Sequence, residues 1–148
     1  NAAGEIGHTI VKADGPLCTC GRRGCLQAIS GGRGLEIRAH DSLGIEIGTK
    51  EITDRAELNE PVFKEMITEA SETLGRFLCN LIDSLDPAVL VIGGSLGKNR
   101  YYFDRILKTI EENYYRVPGK KVKIELSSIE PNPNILGILS LSRKTHKD

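Results

Sequence analysis

Three of the four cysteines fall within eight residues, in the stretch CTCGRRGC that runs from Cys18 to Cys25. Thiolates held this close together repel one another, so a cation is needed to keep them deprotonated, and nearby arginines offset the remaining negative charge. Zn²⁺ meets this need because it takes four sulfur or nitrogen donors in a tetrahedron. A fourth donor lies upstream, beyond the turn dipeptide Asp14-Gly15. The spacing predicts a structural zinc site with the ligands His8, Cys18, Cys20 and Cys25.

Two other uses of these cysteines stay open on the residues alone, namely a disulfide and a redox-active thiol. A bridge between Cys18 and Cys20 would be strained, because the two residues are only two positions apart, whereas a Cys20–Cys25 bridge is less restricted. The stretch has no C-x-x-C spacing of the kind that thioredoxin-like redox couples use. Cys79 differs, since it lies in an apolar helical pattern and is expected to be a small buried core residue.

A second candidate site is the glycine pair that ends the apolar run AVLVIGG. Gly93, Gly94 and Ser95 follow a predicted strand directly, which is where α/β folds place backbone that binds phosphate or nucleotide. The stretch is not a Walker A loop, because Lys98 is followed by Asn99 rather than by serine or threonine. A sharp turn and a ligand-binding loop are both open on these residues.

The elements that must position these residues alternate between helix and strand. Apolar residues recur at helical spacing from Pro61 until Pro87 ends the pattern, and AVLVIGG is too short for a helix, so it predicts a buried, parallel strand. The alternation predicts an α/β fold whose sheet is partly parallel. The other expected elements are a strand and turn within 7–15, a glycine-weakened helix over 26–44, a polar linker over 48–59, a helix over 101–116, a strand over 121–127 and a last helix over 132–143.

The composition excludes several classes of protein. The chain has 148 residues, of which 39% are hydrophobic, and 20 basic residues balance 20 acidic ones. A neutral segment lacks the basic face that nucleic-acid binding usually requires. The sequence has no apolar run near the roughly 20 residues of a membrane span and no signal-peptide pattern, so we expect a reduced, cytoplasmic location. Because the sequence starts at Asn1, we expect a fragment of a longer protein.

Three blocks of the sequence resemble the ROK family of sugar kinases and sugar-sensing repressors. They are AGEIGH, CTCGRRGCLQ and PAVLVIGGSL, and they occur in the family's order. The resemblance corresponds to the C-terminal half of a family member. It implies an α/β fold that forms the second lobe of an actin-like, ribonuclease H-like ATPase. Residues 1–148 would form one C-terminal lobe without the N-terminal one, with a zinc- and sugar-binding loop over 1–30 and helices and parallel strands over 60–148.

The resemblance also implies roles for individual residues. Glu5 matches a sugar-contacting glutamate, and His8 matches a histidine that binds zinc and reaches a sugar hydroxyl, while Cys18, Cys20 and Cys25 match the remaining zinc ligands. Gln27 stands where the family usually has a glutamate that accepts hydrogen bonds from two sugar hydroxyls. The amide keeps the length but loses the charge and one acceptor. In kinase members, Gly93, Gly94 and Ser95 match the loop that faces the adenine nucleotide.

Two functions are compatible with this resemblance. Because Gln27 departs from the family pattern, our leading hypothesis is the zinc-containing sugar-effector lobe of a ROK transcriptional regulator, whose DNA contacts would lie in another domain. The alternative is the same lobe of an ATP-dependent ROK sugar kinase, similar to a glucokinase, which would use ATP and Mg²⁺. The acidic phosphate motif and the D-N-D-A-N-like block of kinase members do not occur in the sequence, so this chain alone should not transfer phosphate. By resemblance we expect a homo-oligomer with a small sugar ligand.

Overall fold

A computed structural model describes residues 4–114 and 122–128. The described part is a mixed α/β structure in which helices outweigh strands. It opens with a single 3-10 turn, Ile6–His8, and ends with a strand. The helices and strands are α1 Leu26–Ser30, α2 Gly32–Leu43, α3 Thr49–Glu57, α4 Pro61–Leu85, β1 Val89–Ile92, α5 Gly94–Gly97, α6 Arg100–Asn113 and β2 Lys123–Leu126.

Helix α4 is the central element, and its predicted start at Pro61 is confirmed. Proline suits this position because its missing N–H would have no partner in the first turn. The helix ends at Leu85, where Asp86 takes a left-handed conformation with φ +48°. One face of α4 packs against α3 and α6, which together with α4 we call the helical body. Its buried core side chains include Ile52, Phe63, Met66, Ile67, Leu78, Cys79, Tyr102, Ile106 and Ile110.

Helices α4 and α6 approach closely because a glycine lies between them. A Cβ atom at Gly75 would stand 2.7 Å from the Cβ atom of Thr109. Helix α6, predicted over 101–116, starts at Arg100, and Asn99 caps it by accepting a hydrogen bond of 2.9 Å from the main-chain N–H of Tyr102. This predicted helix is therefore confirmed, and its first turn is held by a side chain that precedes it.

The predicted parallel pairing is also confirmed. Strands β1 and β2 pair in parallel, with Val89 opposite Lys123 and Ile92 opposite Leu126. The prediction that β1 is buried is wrong for two of its four residues. Val89 is 46% exposed and Val91 is 57% exposed, whereas Leu90 and Ile92 pack against the core. The continuous apolar run therefore alternates between two faces, as any strand must.

Two predictions for the first 60 residues are wrong, and a third is confirmed only in part. The expected strand within 7–15 contributes only an isolated antiparallel bridge, between Ile10 and Cys25, because hydrogen bonds within the cysteine-rich loop replace a ladder. The expected helix over 26–44 breaks at Gly31, whose extended backbone (φ −90°, ψ 150°) separates α1 from α2. The expected linker over 48–59 contains α3, whose buried Ile52 and Ala56 are four residues apart. Its strongly polar composition concealed this narrow apolar stripe.

The predicted last helix over 132–143 lies outside the described residues. Among the described helices, none is long and apolar enough to cross a membrane.

Candidate metal centre and ligand-binding residues

The structure brings His8, Cys18, Cys20 and Cys25 together. Their ligand atoms all lie within 4.8 Å of one another. His8 Nδ1 is 3.7 Å from Cys18 Sγ, and Cys20 Sγ is 3.7 Å from Cys25 Sγ. All the cysteines are free thiols, and 3.7 Å far exceeds the roughly 2.05 Å of a disulfide bond. The four side chains named by their spacing therefore form one cluster.

The loop that carries this cluster, residues 5–27, is held by main-chain hydrogen bonds rather than by a sheet, and we call it the cysteine loop. The Val11 N–H donates to Gly24 O at 2.8 Å, and the Leu26 N–H donates to Thr9 O at 2.8 Å. Gly24 has φ +71°, and a Cβ atom there would stand only 1.6 Å from Lys12 O. Only glycine fits this crossing, because any other residue would collide with main-chain atoms.

The donor set and its dimensions suit a zinc ion. Three sulfurs and one imidazole nitrogen form the donor set of a structural zinc site. Zn–S bonds of about 2.3 Å in a tetrahedron place two sulfurs about 3.8 Å apart, and the Cys20–Cys25 sulfur separation is 3.7 Å. Cys18 and Cys25 are buried, which would shield two of the ligands from water. These residues could therefore hold zinc with little rearrangement.

Arg22 supplies the positive charge that the thiols need. Hydrogen bonds from the main chain and side chain of Arg22 lower the pKa of Cys20 to about 6. In contrast, burial raises the pKa of Cys25 to about 11, and the neighbouring thiols add to this effect. The Arg22 guanidinium also donates to His8 O at 3.0 Å, so it ties the two ends of the cluster together. Without a cation the cluster carries a partial negative charge that favours metal uptake.

The two nitrogens of His8 face in different directions. Nδ1 faces the thiols, whereas Nε2 lies 4.0 Å from Glu5 Oε2. A metal on Nδ1 would leave the hydrogen on Nε2, so the imidazole would present a donor toward Glu5. The Glu5 side chain is 67% exposed, which leaves the carboxylate open to a ligand. The two residues together offer one donor and one charged acceptor at the edge of the cluster.

Gln27, the last residue of the cysteine loop, lies beside the cluster, and its amide faces other residues of the same loop. Its Nε2 atom donates to Cys18 Sγ at 3.4 Å and to Thr19 Oγ1 at 3.3 Å. Its Oε1 atom lies against Gly7, where a Cβ atom would stand 3.0 Å away. A glutamate in this conformation could not donate to Cys18 Sγ and Thr19 Oγ1, whereas the glutamine amide can. Gln27 remains close enough to the cluster to contact a ligand bound there.

Two side chains that the sequence reasoning missed hold α1, the short helix that carries Gln27. The Tyr102 hydroxyl donates to Ser30 O at 2.8 Å, and the Arg38 guanidinium donates to Ile29 O at 3.1 Å. Both bonds satisfy carbonyls at the end of α1 that have no partner within the helix. Burial raises the pKa of the Tyr102 phenol, so the hydroxyl stays a neutral donor.

An ion-pair network ties the same region to α4. Glu69 pairs with Arg38 and also accepts from Lys12 Nζ at 2.7 Å. Desolvation works against the Glu69 carboxylate, but its hydrogen bond from Lys12 and the charge of Arg38 outweigh that effect and lower its pKa. The sequence offers no signal for these contacts, because the partners are distant along the chain or are main-chain carbonyls.

The glycine pair lies apart from the cluster in the chain and forms the entry to α5. Gly94 has φ +83°, a backbone conformation that favours glycine, and an added Cβ atom would meet nothing within 4 Å. Ser95 lines a cleft of about 520 Å³ together with Lys98, Asn99 and residues of α3. The segment that was expected to be a polar linker therefore forms the opposite wall of this cleft.

A family model and curated proteins match the sequence of this chain. The model of the ROK family matches residues 1–145. An N-acetylmannosamine kinase of Vibrio vulnificus (strain CMCP6) is 36% identical over 112 residues, and the match covers 76% of this chain and 38% of the kinase. The chain therefore spans well under half of the length of this relative.

Solved structures show the same fold. A ROK hexokinase from Thermus thermophilus superposes with a TM-score of 0.80 at 24% identity, over 96% of this chain and 49% of the hexokinase. A ROK transcriptional regulator, a homologue of the E. coli MLC protein, gives a TM-score of 0.68 at 21% identity, over 84% of this chain and 34% of the regulator. Together with the family match over residues 1–145, these similarities establish that the chain belongs to the ROK family.

Proposed function

We propose that this chain is the zinc-containing, sugar-binding lobe of an ATP-dependent ROK sugar kinase that phosphorylates a hexose. The observation that carries the proposal is the convergence of Glu5 and the outward-facing nitrogen of His8 at the edge of the cysteine cluster. The similarity to an N-acetylmannosamine kinase, at 36% identity, favours the kinase over the regulator that was our leading hypothesis. The similarity to a regulator, at 21% identity, supports the fold alone.

Sugar recognition would use the complementary polarity of Glu5 and His8. A sugar hydroxyl is both a donor and an acceptor, so it can donate to the Glu5 carboxylate while it accepts from His8 Nε2. Hydrogen bonds to a charged carboxylate are stronger than neutral ones. Zinc, when bound to His8, Cys18, Cys20 and Cys25, would fix the imidazole orientation and supply no other chemistry. Gln27 would contact the sugar only if its amide turned away from Cys18.

The nucleotide would lie against the second candidate site. We assign Gly93, Gly94 and Ser95 to the loop that faces the adenine nucleotide, with Mg²⁺ accompanying its phosphates. The cleft supports this assignment through Ser95, which lines it together with Lys98, Asn99 and polar residues of α3, while Gly93 and Gly94 directly precede Ser95 in the chain. Phosphoryl transfer also needs an aligned base and charge neutralisation at the phosphates. No motif for either role occurs in this sequence, so we assign both to the other lobe of the complete protein.

Turnover by the complete protein that contains this chain tests the proposal. ATP-dependent phosphorylation of one sugar in a panel that includes glucose and N-acetylmannosamine is the expected result. His8→Ala should abolish it, whereas His40→Ala should not, because His40 is an exposed histidine on α2. Gln27→Glu should change the sugar KM, because it restores the acceptor that the family usually has. Absence of turnover with every sugar would refute the kinase proposal.

The regulator remains the second candidate, because Gln27 departs from the family pattern. It would bind a sugar without turning over ATP, and the sugar would change the affinity of the complete protein for DNA. Titration of a labelled operator library with and without sugar separates the two functions. Self-association through this lobe and a cytoplasmic location stay predictions, which light scattering and cell fractionation would check.

A further inference from the structure

We propose that Tyr102 is a positioning residue that couples α1, which carries Gln27, to the segment Gly93, Gly94 and Ser95 after β1, which we call the glycine loop. Sugar and nucleotide binding would then depend on each other through one buried hydroxyl. The coupling rests on the proposed function only for the identity of its two ligands. The contact itself joins α6 to α1, two elements that lie 72 positions apart along the chain at their point of contact.

Helix α1 has five residues, Leu26–Ser30, so it is too short to be stable by itself. Its first turn carries Gln27, and Cys25 stands at its N-cap. Tyr102 Oη donates to the last carbonyl of this helix, Ser30 O, at 2.8 Å. Tyr102 therefore contributes, together with Arg38 and the packing of α1 on α2 and α4, to the position of α1 and of the side of the cysteine loop that carries Cys25 and Gln27.

Tyr102 lies in the first turn of α6, and the main-chain N–H of Tyr102 donates to Asn99 Oδ1 at 2.9 Å. Asn99 also lines the cleft beside Ser95 and donates to Glu57 Oε1 at 3.1 Å. Only two residues, Lys98 and Asn99, separate α5 from α6. A ligand that shifts the glycine loop or the cap of α6 would therefore shift Tyr102.

Helix α4 makes the junction between α1 and α6 rigid. Ala70 O accepts from Ser30 Oγ at 2.8 Å and lies 3.5 Å from the Tyr102 hydroxyl. Ser30 is 6% exposed and Tyr102 is 2% exposed, so no water is available to replace a broken bond. Unpaired polar groups are costly in such surroundings, which makes the junction favour a small number of discrete arrangements. Any coupling that it carries must act in both directions.

The first test measures sugar affinity of the complete protein with and without a non-hydrolysable ATP analogue. The wild type should bind the sugar about fivefold more tightly, or more weakly, when the analogue is present, which is the lower end of common coupling. Tyr102→Phe should bring this ratio close to one. The control is Tyr101→Phe, which removes a neighbouring hydroxyl that bonds to Arg105 at 2.8 Å, and it should leave the ratio unchanged.

If Tyr102 only stabilised the fold, Tyr102→Phe would lower the unfolding midpoint but leave the affinity ratio at its wild-type value. That result, or a ratio of one in the wild type, would overturn the proposed coupling between ligands. A wild-type protein that shows the fivefold ratio, and loses it in Tyr102→Phe, but phosphorylates no sugar would refute the kinase function and support the coupling.

A second test needs neither ligand. Cys25→Ser disturbs the cysteine loop, and hydrogen exchange then reports on the amides of residues 98–106 in the complete protein. We expect the substitution to speed exchange there in the wild-type and Tyr101→Phe backgrounds but not in the Tyr102→Phe background. Gln27→Ala serves as a milder disturbance in case Cys25→Ser fails to fold. Equal acceleration in all three backgrounds would show that the disturbance bypasses Tyr102 and would overturn the proposal.

Discussion

The cysteine loop and the helical body are ordered by different physical means. The helical body buries apolar side chains along three helices, and residues such as Ile52, Ile67 and Ile106 are fully buried. The cysteine loop has almost no regular structure and relies on main-chain hydrogen bonds, a glycine crossing and four convergent ligand side chains. A hydrophobic core tolerates small errors by repacking. A loop of this kind has few contacts to spare, so we expect it to fail locally and completely.

Loss of the metal should produce the largest effect, and the loss of structure should be confined to the loop, although faster hydrogen exchange should reach residues 98–106 through Tyr102. The purified protein is expected to contain about one zinc per chain, because the four ligands complete a tetrahedron. Chelation or Cys25→Ser should remove it and disorder the loop, so that trypsin cleaves at Arg22 and Arg23, which are already exposed to solvent, while the circular dichroism of the helices persists. Cys79→Ser, in the buried face of α4, should keep the zinc. Absence of zinc from the wild type, together with a disulfide by mass, would contradict this prediction.

Substitutions at two glycines of the cysteine loop distinguish the effect of a steric collision from the effect of a left-handed backbone. Gly24→Ala would place a Cβ atom 1.6 Å from Lys12 O, so we expect loss of zinc and loop order. Gly21 has a similar conformation, φ +84°, but an added Cβ atom would meet nothing within 4 Å. Gly21→Ala should therefore cost only about 1–2 kcal/mol for the left-handed backbone. Metal content and urea denaturation should be measured for both variants. Equal losses of zinc and of stability in Gly24→Ala and Gly21→Ala would show that the crossing at Gly24 is not tight.

A core substitution should lower the stability of the fold without releasing zinc. Ile67→Ala removes a fully buried side chain from α4 and should lower the free energy of unfolding by about 2–5 kcal/mol. Zinc content per folded molecule should not change. Val62→Ala, at a 45% exposed position on the same helix, should shift the free energy by less than about 0.5 kcal/mol. If Ile67→Ala also released zinc, the two regions would not be independent.

The smallest expected effect is a difference in thiol reactivity within the metal-free loop. Cys20 is exposed and has a pKa of about 6, whereas Cys25 is buried and has a pKa of about 11. Iodoacetamide should therefore label Cys20 first at neutral pH, with a rate that rises through pH 6 and then levels off. Arg22→Gln should move that midpoint upward. A midpoint near 9, the ordinary thiol value, would contradict the assigned role of Arg22.

The same thiols set the direction of two pH effects. The lowered pKa of Cys20 stabilises the metal-free fold above the ordinary thiol pKa, and this stabilisation is lost as the pH falls through about 6. The raised pKa of Cys25 acts oppositely, since its contribution is present below the ordinary value and is lost as the pH rises through about 11. Zinc must displace the Cys25 proton at neutral pH, so zinc affinity should rise with pH.

The sequence was informative where a pattern is local and misleading where partners are distant. The period of apolar residues predicted α4 and α6, and the spacing of the cysteines named a cluster that the structure assembles. Helix α3 was missed because its apolar stripe is narrow. The strand expected within 7–15 was wrong, because β-branched residues favour extended backbone but cannot supply a partner strand.

The contacts that hold α1 could not be predicted for a different reason. Tyr102 and Arg38 both bond to main-chain carbonyls, and every residue type has the same carbonyl. A tyrosine in an apolar helical pattern therefore looks like any core aromatic residue. Only the fold shows that its hydroxyl lies at the end of another helix.

The length of α4 has a consequence for how this chain can change during evolution. With 25 residues, the helix is about 37 Å long, and its contacts range from α1 and α3 to α6. Deleting one residue from its middle would turn everything beyond that point by about 100°, so one of the packed faces would point away from its partner. Insertions and deletions should therefore be found near Gly44 or Asn59, between helices, and not within α4.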